Sequence, residues 1–240
     1  MDLKRIVKKA DSKVLQYLYP LRCPACDRIV KPYGENICPE CLGKFKLIAM
    51  PRCTVCGKKL WEEKDVCDDC AVRERKFEKG ISLYEYDSVA DAIYRFKYEG
   101  RAEYGEYFGK ELARLCGPFI KSLKPDMLIP VPLSREKLGK RGYNQAALLA
   151  EECGKKLGIP CEENMVIREN STAPLKKLGF AGRQINLKNA FIMAQNGVKS
   201  KRVVVIDDIF TTGSTIEAMA SVLYEAGAEA VYFVTLASGK

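Results

Sequence analysis

Residues 203–215 read Val-Val-Val-Ile-Asp-Asp-Ile-Phe-Thr-Thr-Gly-Ser-Thr, and they are the strongest indication of the fold class. Its four β-branched apolar residues predict a buried strand, because such runs occur in sheets that are covered on both faces. A helical pattern begins at residue 215, directly after a short loop. A strand, a short loop and a helix predict one unit of an open α/β sheet, in which ligands bind at the carboxyl ends of the strands.

The loop and the two acids before it have the chemistry of a sugar phosphate site. A helix N-terminus with free amide groups can bind a phosphate, and Gly213 lets the backbone approach it closely. Carboxylates repel phosphate but suit vicinal hydroxyls or a bridging Mg²⁺. A plain strand-to-helix turn capped by Ser or Thr is the alternative, and it leaves the two acids unexplained. The hydroxyl donors are Thr211, Thr212, Ser214 and Thr215.

This arrangement resembles the motif that binds phosphoribosyl pyrophosphate (PRPP) in type I phosphoribosyltransferases. The resemblance implies that Asp207 and Asp208 are the catalytic acids and hold the ribose 2′- and 3′-hydroxyls. It also implies that residues 211–215 hold the 5′-phosphate and that Mg²⁺ accompanies PRPP. Adjacent acids repel each other, so neutralising Asp208 is expected not to lower stability.

Beyond residue 78, strand and helix patterns alternate, which predicts a mainly parallel sheet flanked by helices. Residues 78–240 are therefore expected to form the α/β domain, with the type I phosphoribosyltransferase fold that the resemblance implies. Segment 169–189 has no clear period and is predicted to be a loop. Strands are predicted at 81–86, 127–133, 165–168, 190–194, 203–207 and 230–236, and helices at 88–97, 104–116, 143–157 and 215–226.

Eight of the eleven cysteines form four Cys-x-x-Cys pairs before residue 71. Two such pairs can close one tetrahedral Cys₄ metal site, which is structural rather than catalytic. Two structural zinc ions are therefore expected, in a double zinc ribbon over residues 23–77. Sequential pairing gives the sets Cys23, Cys26, Cys38, Cys41 and Cys53, Cys56, Cys67, Cys70.

Three alternatives to this zinc assignment stay open in the sequence. The first pair could combine with the third and the second with the fourth, iron could replace zinc, or the pairs could be redox-active. All eight cysteines lie before residue 78, so losing one site is expected to leave residues 81–240 folded.

Composition limits the chemistry further. The 240 residues include no histidine, which excludes histidine bases, histidine metal ligands and Ser-His or Cys-His nucleophile pairs. Residues 1–80 carry 18 basic and 12 acidic residues, and residues 81–240 carry 22 and 19. Two zinc–thiolate sites would offset most of the net positive charge of residues 1–80, so charge favours a nucleic-acid partner only weakly.

The first 22 residues have a basic amphipathic pattern, which predicts a helix docked on the protein. The chain has no apolar run of about 18 residues and no secretory signal pattern, so no membrane span is expected. These features, with thiolate metal sites, predict a cytoplasmic protein.

A basic segment follows the apolar run 129–134 and is expected to form a loop that binds pyrophosphate, although a solvated basic turn is the alternative. Its bases are Arg135, Lys137, Lys140 and Arg141. Segment 169–189 is also basic, and a basic loop could close over an anionic ligand; a basic linker is the alternative.

Taken in order along the chain, these motifs resemble the ComF (competence protein F) family from about residue 20 to the C-terminus. The motifs are the ribbon cysteines, Phe96-Lys97-Tyr98, Pro130-Val131-Pro132-Leu133-Ser134, Arg141-Gly142-Tyr143-Asn144-Gln145-Ala146 and residues 203–215. The resemblance implies that Ser134, Arg135, Arg141 and Arg183 contact pyrophosphate. Leu175 departs from the glutamine frequent in relatives, which puts a polar contact there in doubt.

The resemblance implies a PRPP-binding phosphoribosyltransferase-like protein with a role in DNA uptake and natural transformation. A non-catalytic adaptor for single-stranded DNA, acting with other DNA-uptake proteins, is the alternative function. Salt-dependent DNA binding would support the adaptor, whereas product formation from PRPP would support the phosphoribosyltransferase. The sequence does not name the acceptor.

Overall fold

The computed structural model describes residues 20–32, 34–169 and 190–239. The helix predicted in residues 1–22 falls mostly outside these ranges, as does the segment that contains Arg183. The strands are β1 (Lys79–Glu85), β2 (Met127–Pro130), β3 (Val166–Arg168), β4 (Phe191–Met193), β5 (Arg202–Phe210) and β6 (Ala230–Ser238). The helices are α1 (Asp68–Val72), α2 (Tyr86–Tyr98), α3 (Tyr104–Glu111), α4 (Gly117–Ser122), α5 (Arg135–Arg141), α6 (Gln145–Leu157) and α7 (Ser214–Glu225).

Four strands form a parallel sheet in the order β1-β6-β5-β2. In the register, Val203 of β5 lies between Met127 of β2 and Val231 of β6. β3 and β4 pair with each other as a separate antiparallel ribbon. The α/β class and the mainly parallel sheet predicted from the sequence are confirmed.

Successive residues of β5 point to opposite faces of the sheet, and helices cover both faces. Val204 belongs to a core cluster with Leu149 of α6. Val203 and Val205 belong to a second cluster with Met219 of α7. Because both faces are covered, the strand can be apolar at every position.

The two cysteine-rich segments pack on opposite faces of this sheet. Ribbon 1 (residues 20–45) contributes Cys23 and Phe45 to the cluster that contains α6. Ribbon 2 (residues 51–77) contributes Cys56 and Phe77 to the cluster that contains α7. The residues between them pair with β1 and cover the outer edge of the sheet. The ribbons therefore share the sheet's core instead of forming one of their own.

β5 runs three residues beyond the predicted end, to Phe210, so Asp208 lies within the strand rather than after it. Pairing with β6 continues to Ser238 and holds this extension in place. The predicted helix at 104–116 is also interrupted, because Leu112–Cys116 forms a π-helical turn between α3 and α4.

The basic segment after β2 is a helix, α5, whereas the sequence analysis predicted a loop. Ser134 caps its N-terminus, since the Oγ accepts a hydrogen bond from the Lys137 amide at 3.4 Å. Gly142 ends it with φ +79°, a conformation that favours glycine. A capping serine and a terminal glycine eight residues apart were the sequence signals for this short helix.

Candidate functional site

Asp208 forms an ion pair with Lys97 at the carboxyl end of β5. Lys97 Nζ donates to Asp208 Oδ1 at 2.8 Å, and the two side chains are 17% and 13% exposed. Lys97 lies in the last turn of α2, so this pair joins α2 to β5. The motif Phe96-Lys97-Tyr98 supported the resemblance in the sequence, but nothing in the sequence assigned Lys97 an acidic partner.

Asp207 has no such ion pair in the described residues, and its electrostatics differ from those of Asp208. Burial and the Asp208 charge raise the pKa of Asp207 to about 7, although a hydrogen bond from the Asp208 amide opposes the shift. The charge of Arg168, at the end of β3, also opposes it. Burial lowers the pKa of Arg168, whose guanidinium lies 5.2 Å from the centre of the Phe191 ring.

Three basic side chains interact electrostatically with the two acids, and a fourth, Arg141, interacts with one of these bases, Lys137. Desolvation and the charges of the other three bases lower the pKa of Lys137, whereas Asp208 raises it. Four bases against two acids leave an excess of positive charge, which suits a polyanion such as pyrophosphate. Lys137 and Arg141 were expected in the pyrophosphate loop from the sequence, whereas no site role was predicted for Lys97. The four are Lys97, Lys137, Arg141 and Arg168.

The residues predicted to contact pyrophosphate lie in different environments. Arg141 lies over Tyr98, 5.0 Å from the centre of its ring, and donates to Gln145 Oε1 at 2.9 Å. Ser134 uses its hydroxyl as the helix cap, and Arg135 is exposed in the first turn. Arg183 lies outside the described residues. The structure therefore places Arg141 beside Tyr98 and Gln145, and the pyrophosphate roles of Arg141 and Arg183 stay predictions.

The hydroxyl-rich loop connects β5 to α7 as predicted. Thr211 and Thr212 are exposed, and Ser214 and Thr215 are partly buried at the start of the helix. The Thr212 and Ser214 hydroxyls are 3.1 Å apart. Gly213 has φ +84°, and a Cβ there would lie 2.9 Å from the Phe210 ring, so glycine is required on two grounds. The hydroxyl groups of the loop and the backbone amides at the start of α7 therefore lie on one small surface.

Arg75 fixes this loop to ribbon 2, and its side chain is only 4% exposed. Its Nη1 donates to the Thr212 carbonyl at 2.9 Å and to Glu217 Oε1 at 2.6 Å. The guanidinium also lies beside the thiol of Cys70, a predicted metal ligand. Sequence alone gives no signal for Arg75, because Thr212 lies 137 residues further along the chain.

The eight predicted metal ligands form two groups, and within each group the four Sγ atoms lie within 4.8 Å of one another. A tetrahedral ion bound at about 2.3 Å would hold its thiolates about 3.8 Å apart. The Sγ atoms of Cys26 and Cys38 are 3.9 Å apart, and those of Cys56 and Cys67 are 3.6 Å apart. The donor sets therefore fit one metal ion each, with the pairs combined sequentially as predicted.

Within the described residues, none of the helices has both the length and the apolar character needed to cross a membrane.

Two parts of the chain match known domain families. Residues 14–71 match the double zinc ribbon domain family, and residues 146–240 match the phosphoribosyl transferase domain family. These two matches correspond to the cysteine-rich segment and to the half of the α/β domain that contains β5.

Three curated proteins are similar over most of the chain. Competence protein F of Haemophilus influenzae is 31% identical over 89% of this chain and 95% of its own length. Competence protein ComFC of Bacillus subtilis is 30% identical, over 83% of this chain and 82% of its own. DNA utilization protein YhgH of Escherichia coli is 28% identical, over 87% and 86%. The chain belongs to the ComF family, in which a double zinc ribbon is joined to a domain of the type I phosphoribosyltransferase fold.

Proposed function

We propose that the carboxyl edge of β5 binds PRPP together with Mg²⁺. Asp207 and Asp208 hold the ribose hydroxyls, residues 211–215 hold the 5′-phosphate, and the four surrounding bases hold the pyrophosphate. The observation that carries this proposal is the convergence of two acids, a hydroxyl-rich helix start and a basic cluster on one edge of the sheet. Each part has the chemistry of one part of PRPP.

The same arrangement suits transfer of the phosphoribosyl group. The bond from ribose C1 to pyrophosphate breaks as a bond to the acceptor forms, and the electron pair leaves with pyrophosphate. Carboxylates beside the ribose stabilise positive charge that develops there, while Arg141, Arg168 and Lys137 stabilise the leaving group. Mg²⁺, whose preferred ligands are oxygens, would supply further charge neutralisation. None of these roles requires histidine.

Calorimetry with PRPP and Mg²⁺ tests the proposal directly. We expect Asp208→Asn to weaken binding about tenfold or more, because a hydrogen bond to a charged group contributes about 1–3 kcal/mol. Asp91→Asn, at an exposed position on α2, is the matched control and should bind as the parent does. A parent protein that shows no binding at millimolar PRPP with Mg²⁺ would contradict the proposal.

We further propose that both ribbons hold structural zinc, that the protein is cytoplasmic, where thiols stay reduced, and that it acts in DNA uptake and natural transformation. The names of the three relatives, two competence proteins and a DNA utilization protein, support the biological role. Other DNA-uptake proteins are the expected partners.

A non-catalytic adaptor for single-stranded DNA is the second candidate. Tyr94 and Tyr98 are 56% and 62% exposed, and Arg141 lies over Tyr98. Exposed aromatic rings beside bases are typical of single-strand binding surfaces. We expect micromolar or weaker binding that falls steeply with salt, and weaker binding still in Tyr98→Ala than in Tyr98→Phe. Binding that is insensitive to salt would contradict this candidate.

A further inference from the structure

The guanidinium of Arg75 lies between the hydroxyl-rich loop and the predicted metal ligands of ribbon 2. Its Nη1 bonds to the Thr212 carbonyl and to Glu217, and a Cβ on Gly213 would lie 3.1 Å from the same nitrogen. The loop backbone therefore lies directly against this side chain, which is 4% exposed. Few other side chains can move without disturbing both parts of the molecule.

The other two nitrogens of this guanidinium have no such bonds. Nε and Nη2 of Arg75 are buried and have no hydrogen-bond partner among the described residues. A buried charged donor without an acceptor is costly, because nothing compensates for the water it has lost. These two donors therefore indicate that the site normally holds an acceptor that the protein's oxygen and nitrogen atoms do not provide.

The thiol of Cys70 is the group that can supply this acceptor. It lies beside the guanidinium and is one of the four sulfur ligands grouped in ribbon 2. A cysteine that binds zinc does so as a thiolate, and an anionic acceptor forms a stronger bond to a charged donor than a thiol does. The unpaired donors of Arg75 thus fit a negatively charged metal centre at ribbon 2.

Ribbon 1 has an arginine beside its own sulfur group, but in a different environment. Arg28 Nε donates to Cys26 Sγ at 3.5 Å. Arg28 is exposed, so water screens its charge, whereas Arg75 is buried and bonds to the loop as well. The two arginines therefore form a natural comparison between a solvated contact and a buried one.

We propose that Arg75 donates to the Cys70 thiolate when ribbon 2 holds its metal ion, and thereby couples metal binding in ribbon 2 to ligand binding at the hydroxyl-rich loop. An anionic Cys70 fixes the guanidinium, which in turn fixes the Thr212 carbonyl. Without that anion Arg75 loses a partner, and the loop loses part of its support. Ribbon 2 is then a regulatory element, and the effect on phosphate binding rests on the proposed PRPP site.

Coupling of this kind is reciprocal. A ligand on the loop must raise the metal affinity of ribbon 2 by the same factor by which the metal raises the affinity for that ligand. Ribbon 1 packs on the opposite face of the sheet and should not take part. The proposal therefore predicts a difference between the two metal sites that a purely structural role would not produce.

Competition with a zinc chelator measures the metal affinity of each ribbon in the full-length protein, without PRPP and without an activity assay. Cys56→Ser, which lacks a ligand of ribbon 2, identifies the step that belongs to each ribbon. Arg75→Gln should lower the zinc affinity of ribbon 2 about tenfold or more, the usual effect of losing a group that bonds to a metal ligand, and should leave ribbon 1 unchanged. Arg28→Gln is the matched variant and should leave ribbon 2 unchanged.

Glu217→Gln separates this role from a general loss of stability. It removes the ion pair with Arg75 but keeps the contacts of Arg75 with Cys70 and the loop, so zinc affinity should stay within about threefold of the parent. Equal losses of zinc affinity in Arg75→Gln and Glu217→Gln would overturn the proposal, as would equal affinity in Arg75→Gln and the parent.

A second measurement uses the parent protein alone and does not depend on the folding of any variant. Saturating ribose 5-phosphate should raise the zinc affinity of ribbon 2 about fivefold or more and leave that of ribbon 1 unchanged. Ribose 5-phosphate that binds without changing the zinc affinity of ribbon 2 would overturn the coupling. A parent that does not bind ribose 5-phosphate, with zinc affinity still lowered in Arg75→Gln, would refute the phosphate site and support the contact of Arg75 with the metal centre.

Discussion

At the scale of single residues, two adjacent aspartates have different environments. Lys97 pairs with Asp208, whereas Asp207 is desolvated, lies beside a second acid and has a raised pKa. These environments suggest different tasks, with Asp208 held by Lys97 and Asp207 as a group whose charge depends on pH and on what binds. Each of these assignments can be measured.

Asp208→Asn should lower the free energy of unfolding by about 1–3 kcal/mol, because it leaves Lys97 mostly buried without its anionic partner. This reverses the expectation from the sequence, which considered only repulsion between the two acids. Urea denaturation of Asp208→Asn, Lys97→Met and the double variant forms a double-mutant cycle. Additive losses of stability would show that the ion pair does not stabilise the fold.

Asp207→Asn tests the raised pKa through the pH dependence of stability. The folded protein favours protonated Asp207 up to about pH 7, whereas an unperturbed aspartate ionises near 3.8. The contribution of protonated Asp207 to the free energy of unfolding is therefore complete below about pH 3.8. It is lost as the pH rises towards 7, by at most about 1.4 kcal/mol per pH unit.

The asparagine variant lacks this titration, so it should gain stability relative to the parent between pH 4 and 7, and the difference should level off above that. Urea denaturation at each pH, without PRPP or Mg²⁺, gives the difference between the two proteins. A difference that is the same at every pH would show that the pKa of Asp207 is ordinary.

At the scale of elements, the loop between β5 and α7 is held by a residue from another part of the chain. Arg75 bonds to the Thr212 carbonyl and to Glu217 on α7, and the Phe210 ring packs under Gly213. The loop is therefore positioned from both sides before any phosphate binds, which lowers the entropy lost on binding.

Arg75→Gln should weaken binding of ribose 5-phosphate about tenfold and also lower the melting temperature, because both the loop contact and the ion pair are lost. Glu217→Gln is the matched variant, since it removes the ion pair but keeps the Arg75 bond to the loop. It should lower the melting temperature and leave ribose 5-phosphate affinity within about threefold. Equal losses of affinity in both variants would mean that Arg75 acts through α7 rather than through the loop.

At the scale of the whole molecule, the ribbons are built into the fold. Ribbon 1 packs with α6 on one face of the sheet, and ribbon 2 packs with α7 on the other. Ribbon 2 reaches the site through Phe77, whose ring lies 6.2 Å from that of Phe210, and through Arg75. Among the described residues, ribbon 1 shows no comparable contact with the hydroxyl-rich loop between β5 and α7.

This arrangement predicts different effects of losing each metal site. The parent should contain two zinc ions by elemental analysis. Cys38→Ser and Cys56→Ser should each retain one and should each lower the melting temperature of the entire protein, because both cysteines lie in the shared core. This replaces the expectation that residues 81–240 are unaffected by loss of a site.

Of the two variants, only Cys56→Ser should also weaken PRPP binding, since Arg75 and Phe77 belong to ribbon 2. Calorimetry on each variant, at a temperature where both remain folded, checks the asymmetry. Unchanged melting in Cys38→Ser, or an equal loss of PRPP affinity in the two variants, would contradict it.

Features that depend on local pattern could be predicted from the sequence. The apolar run 203–206 predicted a buried strand because a parallel strand is covered on both faces. Even spacing of the Cys-x-x-Cys pairs predicted two four-sulfur groups, because each knuckle is a local turn. The hydroxyl-rich loop at the start of α7 was likewise readable in one short stretch.

Contacts between residues far apart in the chain could not be predicted in this way. Lys97 and Asp208 are separated by 111 residues and Arg75 and Thr212 by 137, and no local pattern encodes such pairs. The site's positive charge comes from α2 and α5, which follow parallel strands whose carboxyl ends lie at one edge, and from β3 of the separate antiparallel ribbon. The placement of the ribbons on opposite faces has the same origin, since it depends on which surfaces of the finished sheet remained apolar.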